Sequence, residues 1–305
     1  MGGVCNVLAT DCKLILDLPI RAPIQGVFGE LGWYPFWVRA GWQAAKYWTR
    51  AVEMQDDCIV KEALRCQWDL VEQGKECWLA CLKQSLSKTS VGRECWDKWT
   101  GAMRSARRIG CKNYKVAVDQ MTGKVRVQEV RWEDDIHDAL RVLAESKWHE
   151  EINRRESTNG HFGNKLRTYC RFKTEWGQEK YLSIVNSKRK RLMLTRLRLG
   201  ISALRIESGR YEGGKRLPPE ERICQCCDMK KIEDEVHFFS ECKQYEQERD
   251  KLRIGLIRLK VNVDRLEGDN LFIACMQESE DQVIGLVTDF VFDDFRKREA
   301  FLCLN

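Results

Sequence analysis

Proline is scarce in this chain, 5 in 305 residues, which argues against long, stiff linkers. Histidine is scarcer still, at 4. No apolar run approaches the roughly 18 uninterrupted residues that a membrane-spanning helix needs, because charges break each one early. The opening MGGVCNVLATDCKLILDLPI has neither a basic n-region nor a clean apolar stretch, so no signal peptide and no membrane partner are expected. Disorder is argued against by 11 Trp and 11 Phe, more aromatic surface than a chain without a core carries.

Cysteine, by contrast, is abundant. The 15 residues are odd in number and without a secretory context, so reduced thiols are expected rather than a disulfide framework. Cys66, Cys77, Cys81 and Cys95 sit in helix-like sequence beside Trp and read as small buried thiols. Cys77 and Cys81 are one helical turn apart, close enough to share a metal, although packing is the plainer role. The net charge of +6 is modest, but its placement is not. Residues 188–216 hold ten Lys or Arg against Glu207 and Glu212, a local +8 that leaves −2 for the rest. A basic block on a nearly neutral body points to contact with a polyanion.

Periodicity is mostly helical. Trp37, Gly41, Ala44, Ala45 and Trp48 recur at three- and four-residue steps, and 58–86 continues in the same manner. Residues 114–130 alternate with period two around Thr122 and Gly123, the pattern of a short hairpin. Helix returns from Trp132 to Asn153. Met193, Leu194, Leu197, Ile201 and Leu204 form one stripe if a helix survives Gly200, with Arg191, Arg198 and Arg205 along its edge. A charged helix follows at 245–260. The last helix is expected to open at Ser279, with Gln282 completing a capping box. The fold class is therefore mainly α: a helical scaffold with a possible hairpin and a small metal module near the C-terminus. The division expected is a helical region at 1–157, a basic segment at 158–216, a metal module with its following helix at 217–260, and a closing helix at 261–305. A polar break at 157–164 marks the first boundary.

The sharpest motif is Cys224-x2-Cys227-x9-His237-x4-Cys242. A Cys-x2-Cys knuckle turns tightly enough to aim both sulfurs at one ion, and the returning segment supplies an imidazole and a third thiolate. That donor set suits Zn2+, and four protein ligands leave no open position, so the ion is structural. Cys226 competes: Cys224 with Cys226 is an alternative pair, though Cys227 has the better knuckle spacing. Of Glu233, Asp234 and Glu235, two are expected to be solvated. The third favours a helix N-terminus or orients the imidazole. His137, His149 and His161 read as incidental.

Lys188, Arg189, Lys190, Arg191, Arg196, Arg198, Arg205 and Arg210 are the candidate phosphate contacts, since each cation that meets a phosphate releases counterions. Tyr169, Phe172, Trp176, Tyr181 and Tyr211 are candidates for stacking on unpaired bases. The partner expected is RNA or DNA. The run at 188–191 also matches a weak nuclear-import pattern, so the chain is expected inside the cell, with nucleus and cytoplasm both open.

The order of GELGWYPF with KYW, KLRTYCRFKTEWGQEKYL, KRLMLTRLRLGISALRIESGRY and RICQCCDMKKIEDEVHFFSECKQYEQER resembles the region downstream of the reverse transcriptase in non-long-terminal-repeat (LINE-type) retrotransposon polyproteins. The likeness runs from about Pro23 to the end and is strongest from Lys165 to Arg249. It implies that Cys224, Cys227, His237 and Cys242 are the C-terminal Cys/His zinc motif, and that the region binds element RNA or target DNA. The catalytic parts of such polyproteins have no counterpart. The string MQDD at 54–57 lies in helical pattern and lacks an aromatic first residue. Asp134-Asp135 and Asp293-Asp294 read as helix-surface or cap charges. Residues 243–305 contain no Pro, which removes the Pro-Asp of a restriction-like nuclease. The expectation is a non-catalytic nucleic-acid-binding tail. The alternative is a zinc-braced helical scaffold for protein–protein contact, for example with a polymerase acting in trans.

Overall fold

The computed structural model describes residues 10–55, 57–104, 112–118, 125–154, 165–212, 215–263 and 266–304. They are mainly helical, with a cluster of Cys and His near the C-terminus. No described helix is long and apolar enough to cross a membrane. The chain divides into two compact units, and the border falls between Lys147 and Trp148, inside one long helix.

The first unit takes in residues 34–147. Its helices are α1 (Phe36–Glu53), α2 (Ile59–Glu72), α3 (Trp78–Leu86) and α4 (Ser90–Arg104). The stripe read from α1 is its buried face: Ala45 and Trp48 are fully covered, with Trp37 and Ala44 packed against the same core. Trp96 stacks on Trp48 and Trp68, ring centroids 5.9 and 5.5 Å apart. The apolar run at 59–86 breaks after α2, where Gly74 takes φ +71°, a left-handed conformation that suits glycine at a helix end. Cys95 is buried as expected and Cys77 partly so, but Cys66 and Cys81 are exposed. Leu64 and Trp68 face inward on α2, and Leu79, Leu82 and Leu86 on α3. A residue two places away points to the opposite side. The hairpin is present as β1 (Lys112–Val118) and β2 (Val125–Arg131), antiparallel with Val116 opposite Val127; its turn lies outside the described residues. Helix α5 spans Trp132–Asn153, as its pattern predicts, with Glu133, Asp134 and Asp135 in the first turn, where carboxylates suit the helix dipole.

The second unit combines residues 10–33 with 148–304. It contains α6 (Lys188–Arg198), α7 (Glu246–Arg258), α8 (Gly268–Gln277) and α9 (Asp281–Leu304). α9 packs against both α6 and α7. Phe238, Phe239, Tyr245, Phe272, Phe290 and Phe295 interlock in its core. Cys12, Leu18, Val27 and Leu31 join that core. Residues 10–33 are thus built into the later half, and the basic, metal and closing segments share one interior instead of forming separate parts. Periodicity reports which face of a helix is buried, not which distant segment covers it.

Two local expectations are corrected here. α6 stops at Arg198: Gly200 takes φ +62°, its N–H donates to the Leu197 carbonyl (3.1 Å), and the Ile201 N–H donates to that of Arg196 (3.0 Å). This is a Schellman ending, so Ile201 and Leu204 reach the core from a loop, and Arg191, Arg198 and Arg205 do not share one helix edge. The last helix begins at Asp281, with the Glu280 carbonyl accepting from the Ile284 N–H. Ser279 lies one residue too early to be its cap.

Candidate metal centre

Residues 222–233 form a tight hairpin. Ile223 bridges Ile232, the Cys224 N–H donates to the Lys231 carbonyl (2.9 Å), and the Glu233 N–H to that of Arg222 (3.0 Å). The reversal uses Lys230 at φ +53°. Inside the loop the Cys226 N–H donates to Cys224 Sγ (3.4 Å), so Cys226 contributes its backbone to the knuckle.

The other two ligands come from an unusual turn. Residues His237–Glu241 form a π-turn, closed by the Cys242 N–H donating to the His237 carbonyl (2.7 Å). In an α-helix, residues five apart point about 140° away from each other. Widening to an i→i+5 turn brings them back to the same side. Asp234 Oδ1 starts the turn by accepting from the His237 N–H (2.8 Å).

The ligand atoms of Cys224, Cys227, His237 and Cys242 all lie within 4.8 Å of one another. Cys224 Sγ and Cys242 Sγ are 4.0 Å apart, and Cys227 Sγ is 3.4 Å from His237 Nε2. A zinc tetrahedron with ordinary bond lengths has S–S edges of about 3.8 Å and S–N edges of about 3.6 Å, so the four donors fit such an ion. The four-donor group takes Cys227, and Cys226 falls in a separate three-residue group with Cys224 and Glu233. Among the described residues no other set of three or more such side chains converges. Cys77 instead donates toward the Gln67 carbonyl (3.6 Å), and Cys81 stays exposed.

Carboxylates brace the centre. Glu241 Oε2 lies 3.5 Å from His237 Nδ1, on the ring nitrogen opposite the one that faces Cys227. A carboxylate there fixes the tautomer that leaves Nε2 free to ligate. The expectation that two of Glu233, Asp234 and Glu235 are solvated fails, because Glu233 and Glu235 are buried. Glu233 accepts two hydrogen bonds from Arg298 on α9 (both 2.7 Å) and one from the Arg205 N–H (2.7 Å). Glu235 pairs with Arg167 (2.5 Å). Each arginine arrives from a distant segment, which local sequence does not reveal. The Cys224 thiol is held far below its ordinary pKa, first by hydrogen bonds from Cys226 and Cys242, while Cys226 and Cys242 are pushed up, first by the same partner. A bound cation would replace those shared protons.

The basic candidates separate. Arg189 is exposed. Lys188 pairs with Asp17 (3.3 Å) and Lys190 with Asp289 (2.7 Å), while Arg191 donates to the Val185 carbonyl (2.6 Å). Arg196 and Arg205 are half-buried, and Arg210 pairs with Glu207 (2.5 Å). Arg198 is not a surface contact: its side chain is buried, bonded to Glu30 (3.1 Å), Glu179 (2.6 Å) and the Met276 carbonyl (2.8 Å). Burial opposes its charge, and Glu30 and Glu179 outweigh that and raise its pKa. Tyr169, Phe172 and Tyr181 are core residues and Trp176 packs edge-on against Trp148, so four of the five proposed stacking aromatics are engaged inside the fold. Sequence reading missed the group around Glu30. Lys173, Glu179 and Arg198 line the side of a cleft of about 410 Å3, but their charges pair with one another and Glu30.

His137 stacks on Trp42 and His149 sits edge-on to Trp148; His161 lies outside the described residues. Residues 54, 55 and 57 of the MQDD string sit between α1 and α2, with no strand. Asp134 and Asp293 are exposed, but Asp135 and Asp294 are buried; the helix-surface reading fails for those two, while Asp135 keeps the cap reading in the first turn of α5. Compared with protein-family models, curated proteins and solved structures, the chain matches none.

Proposed function

We propose that this chain is a zinc-binding protein that holds nucleic acid without catalysing a reaction, as the resemblance to a retrotransposon polyprotein tail implies. The observation that carries the reading is the convergence of three thiols and one imidazole at tetrahedral spacing, next to the most basic stretch of the chain. Zinc suits this donor set because it is borderline-soft and accepts four protein ligands without redox chemistry. When bound, the ion would cross-link the hairpin at 222–233 to the π-turn at 237–241. Glu233 then extends that link to the Arg205 backbone and to Arg298 on α9. The metal module in this way sets the position of the segment that carries Arg205 and Arg210.

The test is metal analysis of the purified chain together with affinity for single-stranded RNA and DNA at two salt concentrations. One zinc per chain and micromolar, salt-sensitive binding support the reading. A metal-bound chain with no affinity favours a second one, a zinc-braced scaffold for a protein partner. That alternative draws on the engagement of Lys188, Lys190 and Arg198 by Asp17, Asp289 and Glu30.

A further inference from the structure

The run Lys188–Arg191 is the densest charge in the sequence, but its geometry disperses it. Four consecutive residues on a helix point about 100° apart, so they cannot all face one ligand. Two of the four are also matched one-to-one by Asp17 and Asp289. A second group of cations behaves differently. Lys165, Arg167 and Arg210 come from two separate segments and meet at a single carboxylate, Glu207, at 3.9, 3.5 and 2.5 Å. Lys165 Nζ also donates to the backbone carbonyl of Arg21 (3.2 Å), and the exposed Arg21 is near enough for its charge to act on Lys165. Among the described residues, Glu235 adds a second negative charge, through Arg167. Three cations thus share one carboxylate, Glu207, and one of them also meets Glu235, with the Arg21 charge close by.

We propose that Arg21, Lys165, Arg167 and Arg210 form a phosphate-binding cluster that grips a nucleic-acid backbone; this rests on the nucleic-acid reading above. Several cations converging on one carboxylate leave charge that a phosphate oxygen neutralises, and guanidinium groups donate to phosphate in a fixed fork. The Lys165 ammonium is already disfavoured, first by burial and then, against the help of Glu207, by Arg210, Arg21 and Arg167; an anion relieves that repulsion. The cluster is coupled to the metal centre through the segment 205–210: the Ile206 N–H donates to the Glu233 carbonyl (3.1 Å) and Arg222 donates to the Ile206 carbonyl (2.7 Å).

The experiment compares two variants of the full zinc-loaded chain by fluorescence anisotropy, with labelled oligouridylate and oligothymidylate across a salt series. One carries Arg21→Gln, Lys165→Gln and Arg210→Gln; the other carries Lys188→Gln, Arg189→Gln and Lys190→Gln. Each single-strand phosphate contact contributes about 0.7 to the slope of log K against log salt. The first variant is expected to lose about 2 from that slope and roughly 40-fold in affinity near physiological salt, the second less than a third of either. An equal or larger loss in the second overturns the cluster and leaves nucleic-acid binding standing. A wild-type chain with no salt-dependent binding removes both. If the triple variant loses its zinc, Arg21→Gln and Lys165→Gln singly carry the test. Each is expected to remove about 0.7 from the slope, and an unchanged slope in both rejects the cluster.

Discussion

Cys226 and Cys227 are neighbours with opposite expected consequences. Cys227 belongs to the four-donor set, whereas Cys226 gives that set a backbone N–H. Cys227→Ser should drop the metal content from about one ion per chain to well below that, while Cys226→Ser retains it; the reverse result would transfer the ligand role to Cys226. A second residue-scale prediction concerns Asp294. Its carboxyl is fully buried, and neither oxygen has a hydrogen-bond partner among the described residues. Burial first, then the nearby Glu248, pushes its pKa up to about 8, against Arg249 and Lys297. The folded state therefore keeps a proton that the unfolded chain releases near its ordinary value of 3.8. Stability associated with this group is full below that value and is lost progressively as pH rises through about 8. Asp294→Asn removes the penalty. In urea unfolding, its advantage over wild type should grow from pH 4 to pH 8 and reach on the order of a few kcal/mol. An advantage that does not change with pH would mean that Asp294 is charged in the fold.

At the scale of elements, Gly200 and the π-turn decide where the basic helix ends and where the metal ligands meet. A Cβ at Gly200 would lie 2.1 Å from the Lys165 carbonyl oxygen, in addition to the left-handed φ. Gly200→Ala should cost at least about 1–3 kcal/mol, read as a lowered urea midpoint with zinc bound; an unchanged midpoint would mean that α6 continues through this position. Both ends of α5 and the buried stripe of α1 were legible in the sequence, because apolar spacing and acidic first-turn residues are local signals. The stop after Arg198 was not. A glycine within an amphipathic pattern fits either an interrupted or a continuous helix, and the close approach of Lys165 from elsewhere in the chain settles it. The π-turn has no periodic signature, although the four-residue spacer between His237 and Cys242 did mark them as a pair.

Across the whole molecule, the two units have separate hydrophobic cores, and the candidate metal donors all belong to the second. Structural zinc contributes roughly 10–16 kcal/mol of apparent binding energy in small modules. Chelation is therefore expected to speed hydrogen exchange in residues 222–245. The effect should extend to α9, through Glu233 and Arg298, with little change in α1–α3. Uniform acceleration over both units, or none in 222–245, would contradict a structural ion at this place. A salt-bridge partner such as Arg298, 65 residues from Glu233, shows why this coupling was unreadable in advance.

The sequence by itself determined the mainly helical class, the hairpin and the short Cys/His motif from which the four candidate donors come. Each follows from spacing along the chain or from the chemistry of residue types. Only the tertiary structure grouped Cys227 rather than Cys226 with Cys242 and His237, buried Glu233, Glu235 and Arg198, and gathered Lys165, Arg167 and Arg210 around Glu207. Those outcomes depend on which distant segments meet, and the cost of burying a charge is offset only once its partner has arrived.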